Sequence, residues 1–178
     1  MSSAFAPSLS HFGVFCHDID KMAAFYCEVF DMVETDRGQG ITMPFKIVFL
    51  SSSPQQHHQL ALASSRPADA PSTVMQLSFK VQALDHLREA RRRALERGAS
   101  RMRGLNHGNA LSIYFSDPED NTVEVYLDTP WYVTQPHGDP LDLERSDETI
   151  WAETERICRA DPTFMPMAQW RNAFGQAR

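Results

Sequence analysis

Four polar residues in this 178-residue chain stand where chemistry could be done: His11, His58, Gln76 and Glu124. Imidazole and carboxylate groups can ligate a divalent metal, and imidazole can take and return a proton near neutral pH. A neutral amide is a weaker donor, which makes Gln76 the odd member. It sits at the start of the strand-like run TVMQLSFKV, on the face opposite Leu77, Phe79 and Val81. An amide there marks either a wetted face or the lining of a cavity.

The elements that must position these residues come from an internal repeat. SHFGVFCHDIDKMAAFYCEVFDM reads as a short alternating strand, a turn with Asp18 and Asp20, and a helix with Met22, Phe25, Tyr26, Val29 and Phe30 on one side. MQLSFKVQALDHLREARRRALERGAS repeats the plan, with Leu84, Leu87, Ala94 and Leu95 as the apolar stripe and Gly98 as the stop. FKIVFL and HHQLALA close the first half, and ALSIYF and NTVEVYL close the second. The expectation is an α+β domain over residues 8–128. It contains two βαβββ modules, about 8–64 and 73–128, related by pseudo-twofold symmetry and forming a curved mixed sheet around a cleft.

Overlaying the halves places His11 on Gln76 at an offset of 65 and Phe49 on Phe115 at 66; the second offset carries His58 onto Glu124. Gln76 then occupies the symmetry mate of His11. Strand alternation puts His11, Tyr114 and Glu124 on the cleft side, whereas HHQLALA does not decide between His57 and His58. Singly, each of these residues has an ordinary role on a solvated strand face; the repeat is what brings them together.

Composition narrows the rest. Hydrophobic residues make up 42% of the chain, enough to bury a core without disulfides, and Cys16, Cys27 and Cys158 show no pairing pattern. A net charge of −6 gives no general attraction to nucleic acid or anionic lipid. The start MSSAFAPSLSHF does not read as a signal peptide, and no run reaches the length of a membrane span, so a cytoplasmic protein is expected. REARRRALERG reads as a solvated helix face, SDPEDN as a structural turn, and His17, His86 and His137 as surface residues. Residues 129–178 form a different unit. TPWYVTQPHGDP reads as an ordered irregular arm, and Ser146 or Asp147 caps a helix through about Arg159 that packs on the domain or on a partner. The arm could cover the cleft, with Trp131 or Tyr132 reaching substrate.

The paired modules resemble the vicinal oxygen chelate superfamily, which includes glyoxalase I, bleomycin-resistance proteins and type I extradiol dioxygenases. The resemblance is carried by SHFGVFCHDIDKMAAFY, HHQLALA, NHG before SIYFSDPEDNTVEVY, and WYVTQPHGDPLDLERSDE, over about residues 8 to 150, and is greatest to the extradiol ring-cleaving dioxygenases. It implies a single Fe(II) or Mn(II) in the cleft, held by two histidines and a glutamate. The first histidine falls on His11 and the glutamate on Glu124. The second falls on Gln76, where this sequence departs from the pattern. The acid–base histidine falls on His58, a flanking active-site histidine on His107, and a substrate-contacting tyrosine on Tyr114. The resemblance therefore implies cleavage of a catecholic ring, with a small aromatic substrate and O2 as partners.

The amide leaves two ligand sets open. One is His11, Gln76 and Glu124, since glyoxalase I relatives use a glutamine at an equivalent strand position. The other is His11, His58 and Glu124. Two further functions also remain: a glyoxalase- or epimerase-type isomerase or lyase using zinc or nickel, and a small-molecule binder of the bleomycin-resistance kind. A homodimer is the expected assembly.

Overall fold

Asp18 opens the first helix. Its carboxylate accepts from the Lys21 amide at 3.0 Å, so α1 (Ile19–Phe30) starts where SHFGVFC ends as β1 (Phe12–Cys16). The computed structural model describes residues 7–176 of the chain. Helix α1 buries Ile19, Met22, Phe25, Tyr26 and Val29, and it stops at Asp31, whose φ of 52° is left-handed. Three strands follow: β2 (Val33–Gln39), β3 (Lys46–Ser51) and β4 (Leu60–Ser64).

The second module repeats the order as β5 (Leu77–Lys80), α2 (Leu84–Glu96), β6 (Ser100–Asn106), β7 (Ala110–Ser116) and β8 (Thr122–Asp128). Helix α2 buries Leu84, Leu87, Ala90 and Ala94, and Gly98 follows it at φ +86°. Leu95, expected on the inner stripe, is 48% exposed. Ala90 and Ala94 complete the 3.6-residue period, which carries Leu95 round to solvent.

Both modules share one topology. Strands run β1-β4-β3-β2 in the first sheet and β5-β8-β7-β6 in the second, with β1/β4 and β5/β8 parallel and the other pairs antiparallel. The α+β pair of mixed sheets is therefore present, hydrogen-bonded as two sheets with β1 and β5 as outer edges. The two helices pack together, and one core runs from Val14, Cys16, Leu50 and Leu62 to Leu77, Phe115, Val123 and Val125.

Register corrects the sequence overlay. Phe12 faces Leu60 and Leu77 faces Val123, so placing His11 on Gln76 puts Ala61, not His58, on Glu124. The same overlay puts Phe49 on Tyr114. His58 precedes β4 and follows no strand parity, because the buried Leu60 and Leu62 set the inner face of that strand by themselves.

A buried polar lock joins the modules. Glu119 accepts from the backbone N–H of His17 at 2.9 Å, from that of Asp18 at 2.7 Å, and from Arg66 at 2.7 Å. Asp117 accepts from the Tyr26 hydroxyl and from Asn121, both at 2.8 Å; burial pushes its carboxyl up. The SDPEDN turn is thus structural, and it also clamps the two halves.

Beyond β8 lie β9 (Trp131–Tyr132), β10 (Asp139–Pro140), α3 (Asp147–Ala160), β11 (Met165–Pro166) and α4 (Met167–Gln176). Ser146 caps α3, whose inner face is Ile150, Thr154 and Cys158. This segment packs on the second module: β10 extends its sheet beside β6, and Asn106 donates to Thr154 at 2.9 Å. Among the described residues no helix is long and apolar enough to cross a membrane.

Candidate functional site

Glu124 is the centre of the second module's open face. Register lines up Arg103, Tyr114, Glu124 and Ser78 as one row across β6, β7, β8 and β5. The next row holds Leu105, Ser112, Tyr126 and Lys80. Glu124 is 8% exposed, and its carboxylate accepts four hydrogen bonds. Gln76 Nε2 and Ser78 Oγ reach Oε2 at 2.7 Å each; Ser112 Oγ reaches Oε1 at 3.0 Å and the Tyr114 hydroxyl at 2.5 Å. Burial, with Glu124 beside it, pushes the Tyr114 hydroxyl well up, so it stays a neutral donor. Gln76 thus shares the face of Glu124, and its partner is the buried carboxylate.

His107 closes one side. Its Nε2 stands 3.0 Å from the Tyr114 hydroxyl, and its Nδ1 lies 2.7 Å from the His137 carbonyl, which can only accept. Gln135 donates to the His107 carbonyl at 2.8 Å and accepts from the His137 amide at 3.1 Å. The arm thus fixes the plane of the imidazole. Together His107, Tyr114, Glu124, Tyr126 and Gln135 line an open cavity of about 250 Å³. His137, read from sequence as surface, is only 17% exposed and has Asp139 3.0 Å from its ring.

The first module carries the other histidines. The His11 and His58 rings meet at 4.2 Å between centroids, and His58 also meets Phe49 at 4.8 Å. His57 Nδ1 lies 3.0 Å from His58 Nδ1, while His57 Nε2 lies 2.9 Å from Asp36. Burial and the neighbouring His11 and His57 hold the His58 imidazole below the ordinary histidine value, so it is neutral at pH 7. The same face carries Phe15 against Phe45, 5.4 Å apart and edge to face, and Phe15 is 54% exposed. Gly13, Ala61, Phe49 and Asp36 form one row of this face.

The candidate residues therefore gather as two half-sites: His11 with His58, and Gln76, Glu124, Tyr114 and His107. Among the described residues no three His, Cys, Asp or Glu side chains converge to hold a metal. The His11, His58 and Glu124 set is accordingly not assembled within one chain. Each half nevertheless carries donor types that a divalent ion accepts. His58 is a neutral imidazole beside His11, and Gln76 has its amide already at the carboxylate of Glu124, where turning the amide over would offer its oxygen. Sequence reasoning missed Ser78, Ser112, Asp36, Gln135 and His137. Ser78 and Ser112 were available from strand parity; the others depend on contacts between distant segments.

The sequence profile of the Glyoxalase/Bleomycin resistance protein/Dioxygenase superfamily matches residues 8–125. The chain belongs to that superfamily. Similar solved structures include the genomically encoded fosfomycin resistance protein FosX from Listeria monocytogenes, solved with Mn(II) and sulfate. It is 20% identical, with a TM-score of 0.55 over 70% of this chain and 95% of that one. A superfamily domain from Frankia sp. EAN1pec is 21% identical, with a TM-score of 0.56 over 70% of this chain and all of its own. FosX from Mesorhizobium loti is 23% identical, with a TM-score of 0.54 over 70% of this chain and 94% of that one. At these identities the likeness is one of fold. No curated protein matches the chain significantly in sequence.

Proposed function

We propose that this superfamily member is a metal-dependent dioxygenase that opens a catecholic ring with O2, working as a homodimer in which each copy supplies half of every site. The observation that carries the substrate side is the aromatic wall. Phe15, Phe45 and Phe49 share the open face with His58, which suits a flat apolar ring better than a small, wholly polar molecule.

His11, Gln76 and Glu124 would hold the metal, taken here as Fe(II), with Mn(II) as the alternative. A bound ion of this kind acidifies catechol hydroxyls and offers open positions for substrate and O2. Around it the chain's own groups have distinct tasks. His58, neutral at pH 7, takes a hydroxyl proton on its ring nitrogen and can return it as the ring opens. Tyr114 and Ser112 hold the Glu124 carboxylate and leave the phenol at the cavity rim to orient substrate. His107 and Gln135 wall the cavity and limit water.

The dimer is supported by the separation of the two half-sites and by the edges. Strands β1 and β5 each leave one edge unpaired, and a groove of about 710 Å³ is lined by Phe12, Phe30, Leu60, Leu77 and Phe79. Unpaired edges beside apolar surface are what a second copy would cover.

The test is elemental analysis of protein purified without oxygen, followed by O2 uptake with a panel of catechols. About one iron or manganese per chain, with O2 consumed as the ring opens, is the expected result. Zinc or nickel without O2 uptake would favour an isomerase or lyase. Failure to take up any metal after reconstitution would leave a small-molecule binder.

A further inference from the structure

We propose that Arg103 anchors an anionic substituent of the substrate, so that the ring opened is that of an aromatic acid; this rests on the ring-opening reading above. Arg103 stands at the end of the row that runs through Tyr114 and Glu124 to Ser78. Its guanidinium carbon lies 5.2 Å from the ring centroid of Tyr114, a cation–π contact with a residue that lines the cavity.

What singles it out is what it lacks. Among the described residues, every arginine except Arg103 and Arg145 is paired with a carboxylate. Arg145 directly precedes the Ser146 cap of α3 and belongs to none of the strand rows of the site. The Arg103 guanidinium donates no hydrogen bond to another described residue. In a chain of net charge −6, a guanidinium left free on the face of the site keeps its planar donor fork for something that arrives. The other cation of that face, Lys80, is already held by Asp128, which Arg171 also approaches.

Spacing defines the ligand. Arg103 is two strands from Glu124, roughly 10 Å at ordinary strand separation. That span takes a ring set near Glu124 and a short acidic arm reaching the guanidinium. A carboxylate matches the fork with two parallel N–H bonds.

Two measurements test this. In metal-free protein, calorimetry compares phenylacetate with benzyl alcohol and methylphosphonate. Wild type should bind phenylacetate about tenfold or more tightly than benzyl alcohol, the scale of one charge-assisted hydrogen bond, and R103Q should erase the preference while R103K keeps part of it. In reconstituted enzyme, the kcat/KM ratio of 3,4-dihydroxyphenylacetate to 4-methylcatechol should fall by a similar factor in R103Q. If Arg103 merely supported Tyr114, both substrates would decline together and the ratio would hold. No preference for phenylacetate, a preference that R103Q retains, or tighter binding of methylphosphonate would each overturn the proposal. A phenylacetate preference that depends on Arg103, with neither catechol turned over, would instead remove the ring-opening reading and leave the anion site standing.

Discussion

His57 Nδ1 lies 3.0 Å from His58 Nδ1, and together with the Asp36 contact that distance assigns both tautomers. His57 Nε2 stands 2.9 Å from the Asp36 carboxylate, which can only accept, so that nitrogen carries the proton. In neutral His57 the Nδ1 is then bare and accepts from His58 Nδ1–H. The consequence falls on His58, whose Nε2 is left with a free lone pair. Depressed basicity keeps this ring neutral at pH 7, ready to receive a proton or to meet a metal.

Replacing His57 by Phe should therefore leave the fold intact while freeing the His58 tautomer. Steady-state O2 uptake is expected to show kcat reduced by about tenfold, a typical fraction of a general-base contribution, with KM little changed. His57→Asn, whose amide oxygen can still accept from His58, should recover part of the loss. Equal kcat values for wild type and His57→Phe would show that His58 needs no such partner.

Mixing two inactive variants tests the shared site. Neither His11→Ala nor Glu124→Gln should turn over substrate alone. If each site takes His11 from one copy and Glu124 from the other, a mixed dimer has one intact site, and refolding the two together should restore activity. A site built within one chain would give no recovery at any mixing ratio.

The module plan was legible because its signals are local. The period-2 runs of β7 and β8, the 3.6-residue stripe of α1 and the Ser146 cap of α3 each lie within a short stretch. The placement of Gln76 on the face of Glu124 was legible in the same way, from strand parity. His58 was misregistered because β4 begins at Leu60, two residues later, and parity does not extend into a loop. The Asp36–His57 pair links β2 to the loop before β4, and sequence spacing carries no mark of it. The hold on His107 was hidden for another reason: the His137 group that accepts from it is a backbone carbonyl, which every residue possesses. The split into half-sites was equally invisible, because a repeat gives equivalent positions without saying whether one chain brings them together.

Alkaline pH should weaken the fold from about pH 9 upward. Burial, with Glu119 nearby, pushes the Cys16 thiol up to about 12 from its ordinary 9.0, and burial raises the fully enclosed Tyr26 hydroxyl as well. Between the ordinary and the raised values the folded chain holds protons that the unfolded chain has lost. Stability therefore falls as pH rises through that window. Thermal melts across pH 8 to 11 should show the decline, with a shallower slope in Cys16→Ala. By the same reasoning the native thiols should resist alkylation at pH 8, since Cys158 is also pushed up to about 11 and Cys27 is raised, whereas all three should react after unfolding. Rapid native labelling of Cys16 would contradict this.

Arg66 and Glu119 should be unequal partners to lose. Their side chains are 12% and 3% exposed, and Glu119 also accepts the two backbone N–H groups at the start of α1. Arg66→Ala leaves a buried carboxylate with only neutral donors, and loss of one member of a buried pair costs about 3 kcal/mol or more. Glu119→Gln keeps an acceptor for the His17 and Asp18 amides, so its cost should be smaller, and adding it to Arg66→Ala should restore part of the lost stability because the stranded charge is gone. Denaturant unfolding of the two single variants and the double variant measures the coupling directly. If Arg66→Ala cost under about 1 kcal/mol, the range of a surface ion pair, the modules would be held by their apolar contact alone, and the buried clamp would contribute little.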